Sequence, residues 1–198
     1  MNKIKLTGSI ACEPTYSHEI YGEKFYKFKL ISDRLSGAHD VLPCVISETM
    51  VNKVKIGDDV EITGEIRTRN YTDENDKRKC EISVFVDSVK DYDGFHDDNE
   101  VTLTGFICKE PNYRETPLGR QICDVLIASN RERNGKSDYV PSVVWGRNAL
   151  RASQMSVGTK VEVVGRLQSR EYTKHFADGT EETMLAYELS IAKIKECE

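Results

Sequence analysis

Three aromatic side chains in the C-terminal half of the sequence have the type and spacing needed to hold flat ligands. Tyr139 and Trp145 lie six residues apart in a strand-like run, so both rings point to the same face of that strand. Tyr172 ends a second run of alternating residues. Exposed rings accept nucleobases by stacking, which contributes about 1–3 kcal/mol per base and tolerates any sequence. The three rings therefore predict a surface for single-stranded nucleic acid.

Side chains suited to contacting phosphate groups lie near these rings in the sequence. Contacts between cations and phosphates supply the rest of the binding free energy and make it sensitive to salt. The candidates in this half are basic or amide side chains on the same strands or in adjacent loops, with one further ring in a predicted hairpin loop. They are Arg131, Arg133, Lys136, Arg147, Arg166, Gln168, Arg170, Lys174 and Phe176.

Each of these residues also has a purely structural interpretation. Trp145 follows the apolar pair Val143-Val144 and could belong to the core. Tyr139 and Tyr172 could cover the ends of the fold, and an arginine taken alone is most often part of a solvated surface. Because several rings and cations share one predicted face, the binding surface is the favoured interpretation.

The elements that must position these side chains occur twice along the chain. Ile4-Lys-Leu-Thr-Gly8 reappears as Val101-Thr-Leu-Thr-Gly105, and this shift of 97 residues holds without gaps for thirty positions. Farther on, residues 57–64 align with residues 158–165 after short insertions of the kind that surface loops tolerate. Such self-similarity indicates a duplicated structural unit.

The repeat predicts two domains, residues 1–90 and residues 100–198, joined by an acidic linker at residues 91–99. They are called domain 1 and domain 2 below. The net charge of −5 is the wrong sign for a simple nucleic-acid binder. The first 98 residues carry all of it and residues 99–198 are neutral, so a locally basic groove in domain 2 remains compatible with the composition.

Each copy contains five strand-like runs, with one helical candidate between the third and the fourth. This order is typical of the OB-fold, a five-stranded Greek-key barrel. We therefore predict an all-β protein of two tandem OB-folds, each with a short helix between strands 3 and 4. The runs are residues 4–10, 25–32, 41–47, 59–69 and 80–89, and residues 101–107, 121–129, 139–146, 160–170 and 185–194; the helices are residues 48–55 and 147–156.

The fourth run of domain 2 shows the clearest alternation. Its inward positions are predicted to be Val161, Val163, Gly165 and Leu167. Its outward positions then carry two cations, an amide and a ring, namely Arg166, Arg170, Gln168 and Tyr172. The alternation places four of the candidate site residues on the outside of the predicted barrel.

Signatures of other protein classes are missing from the sequence. It contains no phosphate-binding Gly-rich loop, no HExxH and no G-x-S-x-G, so we predict neither an enzyme nor a bound cofactor. None of the six cysteines forms a CxxC pair or has a histidine at ligand spacing, so no metal site is expected. Without an apolar run of about 18–20 residues or a secretory leader, the expected compartment is the cytoplasm.

Domain 2 resembles the bacterial single-stranded DNA-binding protein family. Four segments carry the resemblance: Asn99–Gly105, Glu110–Gly119, Asp138–Arg147 and Gly158–Tyr172. The resemblance implies that Tyr139, Trp145 and Tyr172 take the base-stacking places, whereas a further stacking ring of the family is replaced near Arg133.

The resemblance also implies a role and an assembly. The role is binding of single-stranded DNA in replication, repair or recombination, in association with the nucleoid. Family members generally assemble four OB-folds, so two per chain imply a homodimer. Other replication proteins are possible partners.

Domain 1 departs from the family pattern at the third strand. Val41 and Ser47 occupy the places of the two rings, and Tyr71 alone remains at the third place. Domain 1 keeps several cations at or near that place: Arg67, Arg69, Lys77, Arg78 and Lys79. We expect domain 1 to make a weaker and mostly electrostatic contribution.

Two other functions stay open at this point. The acidic balance and the divergent domain 1 also suit a protein-interaction component of a primosome, resembling primosomal replication protein N. OB-folds host many functions, so the fold alone does not decide between them. Binding of RNA is a variant of the first function, although nothing in the sequence predicts recognition of a 2′-hydroxyl.

Overall fold

The computed structural model describes residues 1–72, 76, 78–92, 94, 98–116, 118–131, 135–175 and 179–197, with the backbone alone for Arg78. Three predicted site residues, Lys77, Arg133 and Phe176, lie outside these ranges, and so does the side chain of Arg78. Within these ranges, no helix combines the length and the apolar character needed to span a bilayer.

Domain 1 forms one closed barrel. Its strands are β1 (Asn2–Ile10), β2 (Thr15–Ile20), β3 (Glu23–Asp33), β4 (His39–Ser47), β5 (Asp59–Thr72) and β6 (Arg78–Asp91). Five of them close in the order β1-β3-β4-β6-β5, because β1 pairs with β5 on one side and with the end of β3 on the other. The β4–β6 pairing is parallel and the others are antiparallel, which is the OB-fold arrangement.

Domain 2 repeats this barrel. Its elements are β7 (Asn99–Ile107), β8 (Asn112–Glu115), β9 (Gln121–Asn130), β10 (Ser137–Trp145), α1 (Arg147–Ser153), β11 (Lys160–His175) and β12 (Glu181–Glu196). The closed order is β7-β9-β10-β12-β11, with β7 pairing with both β9 and β11. The predicted tandem of OB-folds is confirmed.

The helix predicted for domain 1 is the exception. Where a helix was expected over residues 48–55, the chain makes a single 3-10 turn at Val51–Lys53. Thr49, Val51 and Val54 are β-branched and lose side-chain freedom in a helix. The corresponding segment of domain 2 is rich in Ala, Leu and Arg, which are good helix formers, and it forms α1.

Two short edge strands, β2 and β8, were not predicted. Every residue of β8 is exposed, and β2 has no buried residue, so neither shows the alternation that marks a strand with one face in a core. Both are the outer strands of hairpins, paired with β3 and β9 respectively. Their position at the two ends of the sheet explains why they lack an apolar face.

The barrel interiors are filled by the inward positions of the strands. In β11 these are Val161, Val163, Gly165 and Leu167, as the alternation predicts, and all four are buried. Gly165 and its counterpart Gly64 lie at bulges, where the register with the next strand shifts. A Cβ at either glycine would lie 2.2 Å from a carbonyl oxygen of that neighbouring strand. The repeated glycine is therefore required by close approach of two backbones.

The two barrels join into one twelve-stranded sheet. β1 pairs with β7 antiparallel, with Ile4 opposite Val101. Two further contacts cross between the domains and mirror each other. The backbone N–H of Thr68 donates to Asp138 Oδ1 at 2.6 Å, and that of Ser169 donates to Asp40 Oδ1 at 2.7 Å. These contacts hold β10 against β5 and β4 against β11, so each domain supports strands of the other.

Candidate nucleic-acid interface

Three neighbouring strands of domain 2 share one solvent-facing surface, called the outer face of domain 2 below. The strands lie side by side in the order β11-β12-β10. Ser190 of β12 is opposite Arg166 of β11 on one side and Val143 of β10 on the other. Leu189 and Ile191 are buried in the core, so Ser190 and the residues level with it lie on the opposite side of the sheet, where Val143 is covered by its neighbours. The candidate residues of β10 and β11 therefore belong to one continuous surface.

The three predicted stacking rings all lie at the surface. Tyr139 is 40% exposed, Trp145 is 37% exposed and Tyr172 is 38% exposed. Trp145 is thus not a core residue, which removes the structural alternative for this side chain. Its indole Nε1–H donates to the hydroxyl oxygen of Ser190 at 3.0 Å. This hydrogen bond satisfies the only polar atom of the ring and fixes the ring beside β12.

Tyr139 is held in place by domain 1. Its backbone N–H donates to Thr68 Oγ1 at 2.8 Å. Its carbonyl oxygen lies 3.9 Å from the sulfur of Cys80, which is the donor. Both partners belong to the β5–β6 hairpin, so that hairpin of domain 1 borders the outer face of domain 2.

Tyr172, on strand β11, is paired with a cation. The guanidinium carbon of Arg170 lies 5.6 Å from the centre of the Tyr172 ring. Arg170 also lies 3.8 Å from Glu188, which accepts a hydrogen bond of 2.9 Å from the amide of Gln168. Glu188 therefore reduces the positive potential that Arg170 and Gln168 would otherwise present to a phosphate.

Two predicted phosphate ligands are engaged with buried carboxylates instead. Arg131 donates to both carboxylate oxygens of Asp138, at 2.6 and 2.7 Å. Arg166 donates to Asp40 at 2.8 Å across the domain interface. The hydrogen bond from Arg131 to Asp138 raises the pKa of the guanidinium. The Arg166–Asp40 pair joins the two domains, and it could not be read from the sequence because Asp40 lies 126 positions before Arg166.

Asp40 is a buried carboxylate stabilised by several donors. Burial alone would raise its pKa, but hydrogen bonds from the Arg34 guanidinium and the Ser169 N–H, with the charges of Arg34 and Arg166, leave the pKa below its ordinary value. Val41, the residue after Asp40, donates its backbone N–H to Ser169 Oγ at 3.2 Å. Asp40 is therefore ionised in the folded protein and anchors the start of β4.

Cations without a carboxylate partner lie beside Trp145. Arg147 is exposed and, in the part of the chain that the structure describes, forms no hydrogen bond or ion pair through its side chain. A shallow cleft beside the indole is lined by Gly119, Arg120, Gln121 and Gly146. Arg120 is a candidate that the sequence reasoning missed. The clue was register, because Trp145 is opposite Ile122 and the β8–β9 turn must lie close by.

Two predicted lysines of domain 2 lie at different depths. Lys136 is exposed in the turn before β10, and Lys174 is half-buried near the end of β11. Both have an interaction partner.

The equivalent surface of domain 1, formed by β5, β6 and β4, also carries rings and guanidinium groups, and is called the outer face of domain 1. Arg69 pairs with Glu81 at 2.9 Å and lies 5.4 Å from the Tyr71 ring centre. Arg67 pairs with Glu65 at 2.9 Å and lies 4.3 Å above the ring of Phe85. Lys79 is exposed opposite Tyr71 and has an interaction partner.

Phe85 was missed although its strand was predicted. Val84 is buried, and successive side chains of a strand point to opposite faces, so Phe85 points outward.

The described residues offer no group of three or more metal ligands. All six cysteines are free thiols. Cys44 and Cys123 are buried, whereas Cys80 is exposed at the domain boundary. The chemistry of these surfaces is therefore that of rings, guanidinium groups and carboxylates.

The sequence model of the family described as "Single-strand binding protein family" matches residues 1–92 and again residues 98–195. A curated relative, "Single-stranded DNA-binding protein" of Clostridium tetani, is 36% identical over 88 residues, which are 41% of this chain and 59% of the relative. "Single-stranded DNA-binding protein 1" of Staphylococcus aureus is 36% identical over 80 residues, 37% of this chain and 48% of the relative. The chain thus spans about half to three fifths of the length of these relatives.

Solved structures give the same fold over the whole chain. The wild-type single-stranded DNA binding protein from Thermus aquaticus superposes with a TM-score of 0.78, covering 100% of this chain and 93% of that chain at 17% identity. A deletion mutant of the same protein gives a TM-score of 0.76 at 18% identity. The similarity extends to the arrangement of both barrels.

Proposed function

This chain belongs to the single-strand binding protein family, and on that premise we propose that it binds single-stranded DNA through the outer face of domain 2. Binding is proposed to tolerate any base sequence, since stacking uses the flat face that every base has. The bound DNA would be that exposed in replication, repair or recombination, so the protein would act at the nucleoid in the cytoplasm. Neither catalysis nor a cofactor is part of the proposal.

The observation that carries the proposal is the exposure of Tyr139, Trp145 and Tyr172 on one continuous face. The indole of Trp145 is held by Ser190, the backbone of Tyr139 is held by Thr68, and the ring of Tyr172 lies against Arg170. Rings held in place lose little freedom when a base stacks on them, so more of the stacking free energy appears as affinity.

Phosphate contacts are proposed for the cations that are free to make them. Arg147 and Arg120 lie next to Trp145, and Arg170 lies next to Tyr172. Arg131 and Arg166 are proposed to be structural, because each donates to a buried carboxylate and a phosphate would have to compete with that contact. Gln168, Lys136 and Lys174 remain candidates for weaker contacts.

The test is a titration of the protein with oligo-dT, followed by the fluorescence of Trp145, the only tryptophan of the chain. Stacking on the indole is expected to quench it, and raising the salt concentration is expected to weaken binding. Duplex DNA of equal length is the control and should compete poorly. A matching oligo-U titration compares RNA with DNA.

Two results would decide against this function. Undetectable binding of labelled oligo-dT at low salt would refute it. If the protein shows no such binding and a helicase or primase is recovered with it, the protein is better explained as an interaction component of a primosome.

We also propose that two chains form a homodimer with four OB-folds, since family members generally assemble that number. A closed dimer has a two-fold axis, the commonest symmetry of soluble oligomers. Analytical ultracentrifugation should give twice the chain mass of 22.5 kDa. A species of 22.5 kDa at micromolar concentration would contradict this assembly.

A further inference from the structure

Relative to domain 2, domain 1 has a ring and a serine in swapped places on two adjacent strands, β4 and β6. Val45 is opposite Phe85 in domain 1, and Val143 is opposite Ser190 in domain 2. Two residues farther along the first strand of each pair lie Ser47 and Trp145. Domain 1 therefore has a serine at the place of Trp145 and a ring at the place of Ser190. Because these two places touch in domain 2, the ring has moved by one strand and stays on the same region of the face.

Phe85 packs on a buried ring. Its ring centre lies 5.4 Å from that of Phe25, with the two planes tilted by 44°, and His18 stacks on Phe25 at 5.1 Å. On the exposed side, the guanidinium of Arg67 covers the Phe85 ring at 4.3 Å. Glu65 holds Arg67 in that position through hydrogen bonds of 2.9 and 3.2 Å. The result is a fixed stack whose outermost member is a flat cation.

Resting on the proposed function, we propose that the Arg67–Phe85 stack is a base-binding position of domain 1, with a nucleobase of the same DNA strand lying on the Arg67 guanidinium. Bases stack on arginine planes as they do on rings. A ring beneath the guanidinium holds it parallel to the incoming base. This position would add base stacking to domain 1, for which the sequence alone predicts mainly electrostatic contacts.

Arg69 and Tyr71 extend this position along β5. Arg67, Arg69 and Tyr71 alternate on one side of the strand, so neighbouring members lie about 6.7 Å apart. Thr68, between the two arginines, accepts the hydrogen bond from the backbone of Tyr139 in domain 2. The outer face of domain 1 therefore ends where the rings of domain 2 begin. A single DNA strand has a continuous route from one domain to the other.

The test moves the only indole of the chain into the proposed position. In the variant Phe85→Trp combined with Trp145→Phe, saturating oligo-dT should quench the fluorescence, while the ring in domain 2 is kept. The control variant, Phe106→Trp combined with Trp145→Phe, places the indole on β7, where Phe106 is exposed on another wall of the barrel. No quenching is expected there.

A second variant measures how much the ring contributes. Phe85→Leu keeps an apolar contact with Phe25 but removes the ring that orients the Arg67 guanidinium for the base, and should weaken binding of long oligo-dT by about fivefold. Its thermal unfolding midpoint should remain near that of the parent, which excludes misfolding as the cause.

Absence of quenching at position 85, equal quenching at positions 85 and 106, or unchanged affinity in Phe85→Leu would each overturn this inference. Anisotropy of labelled oligo-dT separates that failure from failure of the proposed function. If oligo-dT binds but does not quench the indole at position 85, the base-binding position in domain 1 is ruled out and the function proposed for domain 2 stands. Loss of binding in the parent protein removes the function itself.

Discussion

Single hydrogen bonds decide whether an exposed ring is a binding surface or a flexible side chain. Trp145 illustrates this point, because the bond from its Nε1 to Ser190 Oγ connects β10 to β12 above the parallel pairing of the two strands. The indole is thereby fixed with part of its surface open to solvent. Ser190 contacts no base in this account and acts by positioning the ring.

Ser190→Ala tests this positioning. Loss of a hydrogen bond of this kind costs about 1 kcal/mol, so oligo-dT affinity should fall by about fivefold. The fluorescence spectrum of Trp145 should shift in the free protein, which a remote structural change would not cause. Ser190→Thr keeps the hydroxyl and should restore both readouts. Unchanged spectrum and affinity in Ser190→Ala would show that the ring is held by packing alone.

The charges at the site behave less simply than the rings. Parity along β10 and β11 was enough to predict that the rings share a face, because alternation is local. Pairing of Arg131 with Asp138 depends on how β9 and β10 pair, and pairing of Arg166 with Asp40 depends on how the two domains meet. Of the arginines predicted to contact phosphate in domain 2, Arg147 keeps its charge free of carboxylates within the described ranges, and Arg170 keeps it in part.

Few free cations imply a shallow dependence of affinity on salt. For an oligonucleotide short enough to occupy domain 2 alone, phosphate contacts from Arg120, Arg147 and Arg170 predict a slope of log affinity against log salt of about −2. Arg147→Gln should make it about 0.7 shallower. Arg151→Gln, on the same short helix, is the matched control and should leave the slope unchanged. A slope near −6 in the parent protein would show that many more cations contact phosphate.

At the scale of elements, the long strands were predictable and their irregularities were not. Alternation alone predicts that three residues of β11 point into the barrel, namely Val161, Val163 and Leu167. The edge strand β8 has four exposed residues and no such pattern. The bulge at Gly165 depends on the close approach of its backbone to that of Ser190. The only sign of it in the sequence is that Gly165 has a counterpart, Gly64, in the other repeat.

Gly165→Ala tests the packing of this bulge. The added Cβ would overlap the Ser190 carbonyl oxygen at 2.2 Å, so β11 and β12 must separate. We expect the free energy of unfolding to fall by about 2–3 kcal/mol, measured by urea denaturation. Val164→Ala, at the adjacent half-buried position, should cost about 1 kcal/mol or less. Equal losses in the two variants would contradict the close-approach explanation.

At the scale of the whole molecule, the two barrels form one unit because each clamps the other. Asp138 binds Thr68 of domain 1, and Asp40 binds Ser169 of domain 2. Both carboxylates lie at the start of a strand that borders an outer face. These contacts therefore hold the two outer faces in a fixed position relative to each other. The repeat predicted two domains, but only the structure shows these contacts between them.

The clamp makes stability depend on pH in the acid range. The folded-state pKa of Asp40 is lowered, so its stabilisation is complete above the unfolded pKa of about 3.9 and is lost as the pH falls through the folded value. Asp40→Asn should lower the free energy of unfolding by about 2–4 kcal/mol at pH 7 and by less at pH 3. Urea denaturation at both pH values measures the difference. Asp124→Asn, which breaks an exposed pair with Arg114, should have little effect. An equal loss at both pH values for Asp40→Asn would argue against an ionised clamp.

The central claim is that rings on the outer face of domain 2 bind single-stranded DNA. Its most direct test is the affinity of Trp145→Ala/Tyr172→Ala for oligo-dT of about 30 nucleotides, long enough for two OB-folds. The control is Tyr16→Ala/Tyr113→Ala, which removes exposed rings from the edge strands. Loss of two stacked bases predicts affinity at least about 30-fold weaker in the first variant and unchanged in the control. Affinity within about twofold of the parent in both variants would contradict the account.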